Sequence, residues 1–284
     1  MKSKYAYRSE WYEKIIRQPE EFSIPPFCIF GNLWFIGNKD AAVHLVDTGE
    51  GLMVFDTGYP HMQDELLHSI EKCGFHAGDI RMIFHTHGHF DHFGATARLK
   101  ELSGAVTYMG ARDADMINRN PELTLCSYFT ERENPVAAPL FRPDVWLNDQ
   151  DIITLGNTTV RVYETPGHSA GAVTYQFPVT DGKKIYTAVL TGGAGFNTLC
   201  RDFIEVHGNR DWREDFERSL SVWKIMKCDI YLGNHTGQSD VLEKRNRMVS
   251  GSGAAGNPFL DDGALRRYAE KVETEYRNML MEEG

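Results

Sequence analysis

Apolar residues in the first part of the chain fall into short blocks with strand character. Residues 27–30, 33–36, 42–46 and 52–55 are rich in Phe, Ile, Val and Leu and are split by Gly-Asn, Gly-Asn-Lys-Asp and Thr-Gly-Glu-Gly turns. Such blocks between turn residues predict an antiparallel meander. The period then changes. Over residues 62–73, Leu66, Leu67 and Ile70 recur at helical spacing, which predicts an amphipathic helix. Residues 81–84 read as a buried strand, 93–102 as a helix and 105–109 as another strand. The second half repeats this alternation, with strands at 152–155, 159–163, 173–177, 185–190 and 229–232. A helix is predicted over 211–226, where Trp212, Phe216, Leu220 and Trp223 recur, and another over 261–282, with Asp261 and Asp262 as caps. Two sheets joined by helices in two similar halves predict an α/β fold: two sheets face to face with helices outside, a four-layer α/β/β/α sandwich. Residues 1–26 read as an N-terminal arm. Its 5–18 stretch carries Trp11, Tyr12, Ile15 and Ile16 on one face and is expected to pack on the domain, with Tyr5, Tyr7 and Trp11 as the alternative candidates for a substrate wall. Residues 110–143 read as an irregular segment of a length suited to a lid, and residues 257–284 as a C-terminal helical tail.

Composition narrows the function class. A net charge of −10 over 284 residues disfavours nucleic acid as a partner. No apolar run approaches the roughly 18 residues needed to span a bilayer, so a membrane partner is not expected. The first ten residues lack the apolar core of a secretory signal. The expected location is therefore the cytoplasm, or the periplasm or exterior if a signal has been removed. Cys28, Cys73, Cys126, Cys200 and Cys228 form no C-x-x-C pair, which points to reduced thiols rather than a thiolate zinc site or a disulfide framework.

The candidate chemistry is concentrated between the strand at 81–84 and the helix at 93–102. His85, His87, His89, Asp91 and His92 fall within eight successive positions. Imidazoles and a carboxylate converging in one loop make a ligand set for zinc or a similar divalent ion. Burying them without a metal would cost several kcal/mol, on the order of the penalty for unpaired polar groups. His87 and His89 can reach one ion, and Asp91 and His92 point into the next turn, where a second could sit. Four ligands are too few for two ions. His168, in Thr165-Pro166-Gly167-His168, and His235, in Gly233-Asn234-His235, each follow a predicted strand among Gly, Pro and Thr residues and are the further candidates. His85 precedes the H-x-H-x-D-H spacing and is expected to support the ligands or sit in the core. Tyr59 and His61 follow the Asp56-Thr57-Gly58 turn and are candidates to face the cleft.

The order Asp56, the His87 loop, His168 and His235 resembles that of the metallo-β-lactamase-fold hydrolases, over nearly the whole chain. It is most similar to the third subclass of class B β-lactamases, as is the Asn257-Pro258-Phe259-Leu260 tail before a long helix. The resemblance implies a single domain of this fold over 1–284. It implies two Zn2+ ions, one held by His87, His89 and His168 and the other by Asp91, His92 and His235. Asp56 would either close its turn or, as the resemblance implies, accept a hydrogen bond near the metals. The implied reaction is hydrolysis of a small molecule, a β-lactam or similar cyclic amide. Zinc lowers the pKa of water from 15.7 to about 7, so hydroxide is available to attack at neutral pH. Asp91 would orient that water and relay its proton.

One position departs from many relatives. Thioesterases, phosphodiesterases and lactonases of this fold carry a metal-bridging aspartate where this chain has Gly193. That favours the β-lactamase-like branch, but the small polar side chains some β-lactamases use there are absent too. Backbone N–H groups around Gly193, Asn197 or an ordered water would have to hold a substrate carboxylate. The alternatives are a hydrolase of another ester, lactone or phosphodiester, and a module that binds metal without catalysis.

Overall fold

The computed structural model describes residues 9–126, 138–251 and 256–284. Among them the chain forms two sheets. The first contains β1 (Phe27–Phe30), β2 (Leu33–Phe35), β3 (His44–Asp47), β4 (Leu52–Phe55), β5 (Ile80–Phe84), β6 (Val106–Gly110) and β7 (Val145–Leu147), adjacent in that order. β1 to β4 are the antiparallel meander expected from the turn residues, and β4 to β7 run parallel. The second sheet contains β8 (Ile152–Leu155), β9 (Thr158–Glu164), β10 (Val173–Thr180), β11 (Ile185–Leu190) and β12 (Ile230–Leu232), again in sequence order. Its pairs are antiparallel except β11 with β12.

The helices are α1 (Ser9–Arg17), α2 (Gln63–Lys72), α3 (Phe90–Phe93), α4 (Thr96–Ser103), α5 (Ala111–Arg119), α6 (Arg201–His207), α7 (Trp212–Ile225), α8 (Val241–Val249) and α9 (Ala264–Glu283). The period-two alternation of the strands sorts their side chains into layers. From the first sheet, Phe35, Val46, Met53, Phe55 and Phe84 face Val160, Val162, Tyr175, Phe177 and Leu190 of the second. On the outer face of the first sheet, Leu45, Val54 and Ile83 pack on Leu66 and Ile70 of α2 and Leu99 of α4. Val189 and Tyr231 of the second sheet pack on Leu220 and Trp223 of α7 and Leu265, Val272 and Tyr276 of α9. The result is the α/β/β/α sandwich predicted from the sequence.

This arrangement gathers the chemistry-bearing loops. β4 and β5 are parallel, so the loops after Phe55 and Phe84 leave the first sheet on the same edge. β9, β11 and β12 share one direction, so the loops that carry His168, Gly193 and His235 leave the second sheet together. Contacts between sheets bring the two edges into register. Val173 N–H donates to Thr86 O at 2.9 Å and Tyr175 O–H to His85 O at 2.6 Å. Ala42 N–H donates to Asn234 O at 3.0 Å, beside a single bridge between Ala41 and His235.

Several expectations need correction. The described part of residues 110–143 is not an irregular lid. It begins with α5 and a 3-10 turn at Pro121–Thr124, and Ala114 and Ile117 are fully buried. Residues 127–137 of that segment lie outside the described residues, as do Tyr5 and Tyr7 of the arm. The helical period in α5 is obscured because Asp113 sits on its buried face. The C-terminal helix starts at Ala264, after Gly263, with no side-chain cap. Asp261 instead accepts the Gly263 N–H at 3.2 Å and pairs with Arg267.

Between the sheets, Phe55 stacks on Phe177 at 4.7 Å and on Phe84 at 5.1 Å between ring centroids. Phe55→Ala would leave a cavity in that stack and should destabilise the fold by about 3–5 kcal/mol. Urea denaturation of the metal-free protein should show a clear drop in midpoint; an unchanged midpoint would mean that this stack does not hold the two sheets together.

Candidate metal centre

The loop after β5 is fixed before any ligand is considered. Asp56 N–H donates to Phe84 O at 2.7 Å and Thr57 N–H to His92 O at 2.7 Å, so the turn after β4 braces both ends of the His87 loop. Phe90 and Phe93 of α3 are buried, and this short helix turns Asp91 and His92 back toward the histidines. Two clusters result. The ligand atoms of His87, His89 and His168 lie within 4.8 Å of one another, and so do those of Asp91, His92 and His235. The two clusters adjoin: the His87 and His92 ring centroids are 4.2 Å apart. All six side chains are buried except that of His235, which is about one-quarter exposed.

Hydrogen bonds on the far side of four of the five rings orient them. His168 Nδ1 lies 2.8 Å from Gly195 O, and His235 Nδ1 lies 3.2 Å from Asp40 O. A carbonyl only accepts, so both rings carry their proton on Nδ1 and turn a bare Nε2 toward the centre. His92 Nδ1 likewise donates, to Asp56 Oδ2 at 2.9 Å, and turns its Nε2 toward the centre. Thr86 O–H donates to Asp56 Oδ2 at 2.8 Å, which leaves its oxygen to accept from His87 Nδ1 at 3.0 Å. His87 Nε2 then faces His89 Nδ1 at 2.9 Å, and His92 Nε2 faces His235 Nε2 at 3.3 Å. His89 Nε2 is buried without a partner. The orphaned His89 Nε2 and the inward-facing nitrogens of His87, His168 and His235, with the Asp91 carboxylate beside them, make a buried donor set that fits divalent metal ions.

The electrostatics agree. Burial first, and then the neighbouring imidazoles, hold His87 and His89 well below the usual histidine range. Burial also takes His168 down to about 4, against the Gly195 carbonyl that favours its proton. These rings are neutral, as metal ligands must be. His92 differs. Burial would lower it, but the carboxylates of Asp91 and Asp56 push it up to about 10, so in the metal-free chain a proton occupies part of the space a metal would take. For Asp91, burial favours the neutral acid, yet the charge of His92 and its hydrogen bond hold the carboxyl below the usual range. Its Oδ2 lies 3.5 Å from His92 Nε2 and 3.6 Å from His235 Nε2.

A model of the metallo-β-lactamase superfamily matches residues 36–181, just over half of the chain. The protein belongs to the metallo-β-lactamase superfamily. Among solved structures of this superfamily, a subclass B3 metallo-β-lactamase of Bradyrhizobium japonicum superposes with a TM-score of 0.80 at 27% identity, covering 92% of this chain and 96% of that one. The metallo-β-lactamase GOB-18 from Elizabethkingia meningoseptica gives a TM-score of 0.78 at 28% identity, covering 92% and 94%. Among curated relatives, an uncharacterised protein of Aquifex aeolicus is 37% identical over 86 residues, and a hydroxyacylglutathione hydrolase of Maricaulis maris is 28% identical over 152 residues. The alignments cover 30% and 54% of this chain, and the chain spans only 38% and 45% of those relatives' lengths.

Around this superfamily site, Asp56 does more than close a turn. It sits at φ 58°, a left-handed conformation that a non-glycine residue adopts only under constraint. Its Oδ1 accepts the Thr86 N–H at 2.7 Å, and its Oδ2 holds both Thr86 and His92. His85 takes the core option: its nitrogens bond Tyr108 O at 2.9 Å and Thr96 Oγ1 at 2.7 Å, and neither meets a candidate ligand. Tyr59 does not face a cleft. It is buried and donates to Asp40 Oδ2 at 2.5 Å. Trp11, expected at the substrate wall, donates to the other Asp40 oxygen at 2.9 Å. His61 bonds Ile15 O at 3.0 Å and lines a separate cavity of about 450 Å3 with Glu20, Glu65 and His68. Thr86 and Asp40, which orient His87 and His235, carry no sequence signal of their own; adjacency to a ligand or a strand turn is all that could have suggested them.

Gly193 needs the largest correction. A Cβ at this position would lie 1.8 Å from His168 Cδ2 and 2.8 Å from its Nε2. The glycine is therefore the space in which the His168 ring lies, not a missing grip on substrate, and a serine there could not reach a carboxylate without moving a candidate ligand. Asn197 keeps its candidacy: its Oδ1 is buried with no partner. Gly193→Ala should displace His168 and lower the metal content of zinc-loaded protein, whereas Gly78→Ala, where a Cβ meets nothing within 4 Å, should not. Full metal content in a folded Gly193→Ala variant would show that the His168 ring is not held by this contact.

Proposed function

We propose that the protein is a dinuclear zinc-dependent hydrolase that opens β-lactams or similar cyclic amides. The observation that carries this reading is the pair of adjoining ligand clusters, in which outer hydrogen bonds orient His87, His92, His168 and His235. His87, His89 and His168 would hold one ion, and Asp91, His92 and His235 the other. The ions would supply Lewis acidity and make water acidic enough to be a nucleophile near neutral pH.

The chain's own residues supply position and proton handling. Asp91 is a buried carboxylate kept ionised by its histidine neighbours, so Oδ2 can accept the proton that the attacking water loses. Asp56 and Thr86 fix His92 and His87, and Asp40 with the Gly195 carbonyl fixes His235 and His168. Asn197 offers an acceptor beside the His168 loop. A side chain at position 193 would have to displace the His168 ring, so this chain offers no carboxylate there.

The substrate class rests on two supports, the likeness to solved metallo-β-lactamases and the missing carboxylate at Gly193. A second reading, hydrolysis of another ester, is favoured by the curated relative named a hydroxyacylglutathione hydrolase. Assays of the zinc-loaded protein with a chromogenic β-lactam, a lactone and a thioester decide between them. β-Lactam turnover above the other two supports the first reading; thioester or lactone turnover without β-lactam turnover replaces it with the second.

Asp91→Asn should reduce turnover of whichever substrate is accepted by at least about a hundredfold, the lower range for loss of an acid–base group. It should also weaken metal retention in the Asp91/His92/His235 cluster. Near-normal turnover at full metal content would remove Asp91 from the chemistry.

A further inference from the structure

The two loops that carry His87, His89 and His168 come from different sheets, and nothing in their own sequences sets the distance between them. One side chain outside both loops touches each. Asp113, in the first turn of α5, is completely buried. Its Oδ2 accepts the Gly88 N–H at 2.8 Å and the Ser169 O–H at 2.6 Å, and its Oδ1 accepts the Gly171 N–H at 2.6 Å. Gly88 lies between His87 and His89, while Ser169 directly follows His168. A single carboxylate therefore ties together the backbone around all three members of one cluster.

The packing leaves α5 no freedom to drift from either loop. A Cβ on Gly88 would meet Met116 at 2.8 Å and Ile117 at 2.9 Å, and a Cβ on Gly171 would lie 2.3 Å from Asp113 N. Both loops are seated against the helix at glycine distance. Arg112, the neighbouring cation, is turned to Asp215 at 3.6 Å. A buried carboxylate is costly unless its acceptors are filled, and here the donors come from the two metal loops.

We propose that Asp113 is a positioning residue for the His87/His89/His168 ion: it sets the spacing of the two loops and so the affinity of that site. This rests on the metal-centre reading above. Asn at 113 would turn one acceptor into a donor facing the Gly88 or Gly171 N–H, and the loops would have to part. Outer partners of metal ligands commonly change affinity by tenfold to a hundredfold.

The test isolates one site. In a His235→Ala background, which removes a ligand of the other cluster, Co2+ affinity is measured by competition with a chromogenic chelator, and the ligand-field spectrum is recorded. Asp113→Asn is expected to weaken Co2+ binding by about tenfold to a hundredfold and to shift the spectrum. Ser169→Ala, which removes one of the three bonds, should weaken it less. Leu66→Ala, a core variant on the far side of the first sheet, should lower Tm and leave Co2+ affinity unchanged. Unchanged affinity in a folded Asp113→Asn protein would overturn the proposal. If that variant does not fold, unchanged affinity in Ser169→Ala would do so. Absence of Co2+ binding in the His235→Ala protein itself would instead overturn the reading of this cluster as a metal site, and the proposal with it.

Discussion

The constraint on which the site depends is the crowding of five imidazoles and a carboxylate at one buried edge. His87 Nε2 and His89 Nδ1 stand 2.9 Å apart, and His92 Nε2 and His235 Nε2 3.3 Å apart. In water such groups would separate or take up protons. Here burial disfavours the protonated forms of His87, His89 and His168, and only His92, between two carboxylates, gains affinity for a proton. The arrangement is satisfied by positive charge that does not need to enter as protons, which is what divalent metal ions provide.

The rest of the fold can be understood as the means of holding that arrangement. Parallel β4 and β5 deliver Asp56 and the His87 loop to one edge, and co-directional β9, β11 and β12 deliver His168, Gly193 and His235 to the facing one. Outer hydrogen bonds then fix four of the five rings: Asp56 and Thr86 for His92 and His87, the Gly195 carbonyl for His168 and the Asp40 carbonyl for His235. The strained backbone of Asp56 is tolerated because its carboxylate, held by three donors, serves both the turn and His92. Gly193 contributes by lacking a side chain, since the His168 ring occupies the place a Cβ would take.

Much of this was legible in the sequence, and the reason differs from element to element. The meander from β1 to β4 and the strands of the second sheet carry clear apolar blocks between turn residues, so their existence and order followed directly. The H-x-H-x-D-H loop was equally clear, because so many ligand-type residues rarely share eight positions for another reason. The assignment of His168 to one cluster and His235 to the other came from family resemblance rather than from spacing. What failed depended on long-range contacts. Helix α5 was hidden because Asp113, a charged residue, occupies its buried face. Tyr59 and His61 were read as facing a cleft because nothing nearby shows that Asp40 and the Ile15 carbonyl capture them. Gly193 was read as a lost contact because sequence does not reveal which ring lies against a glycine.

The central claim is that two separate ligand clusters hold two ions. Anomalous diffraction at the zinc absorption edge, from crystals of the zinc-loaded protein, tests it most directly. Two peaks per chain are expected, one among His87, His89 and His168 and the other among Asp91, His92 and His235. A single peak, or peaks away from these six side chains, would contradict it.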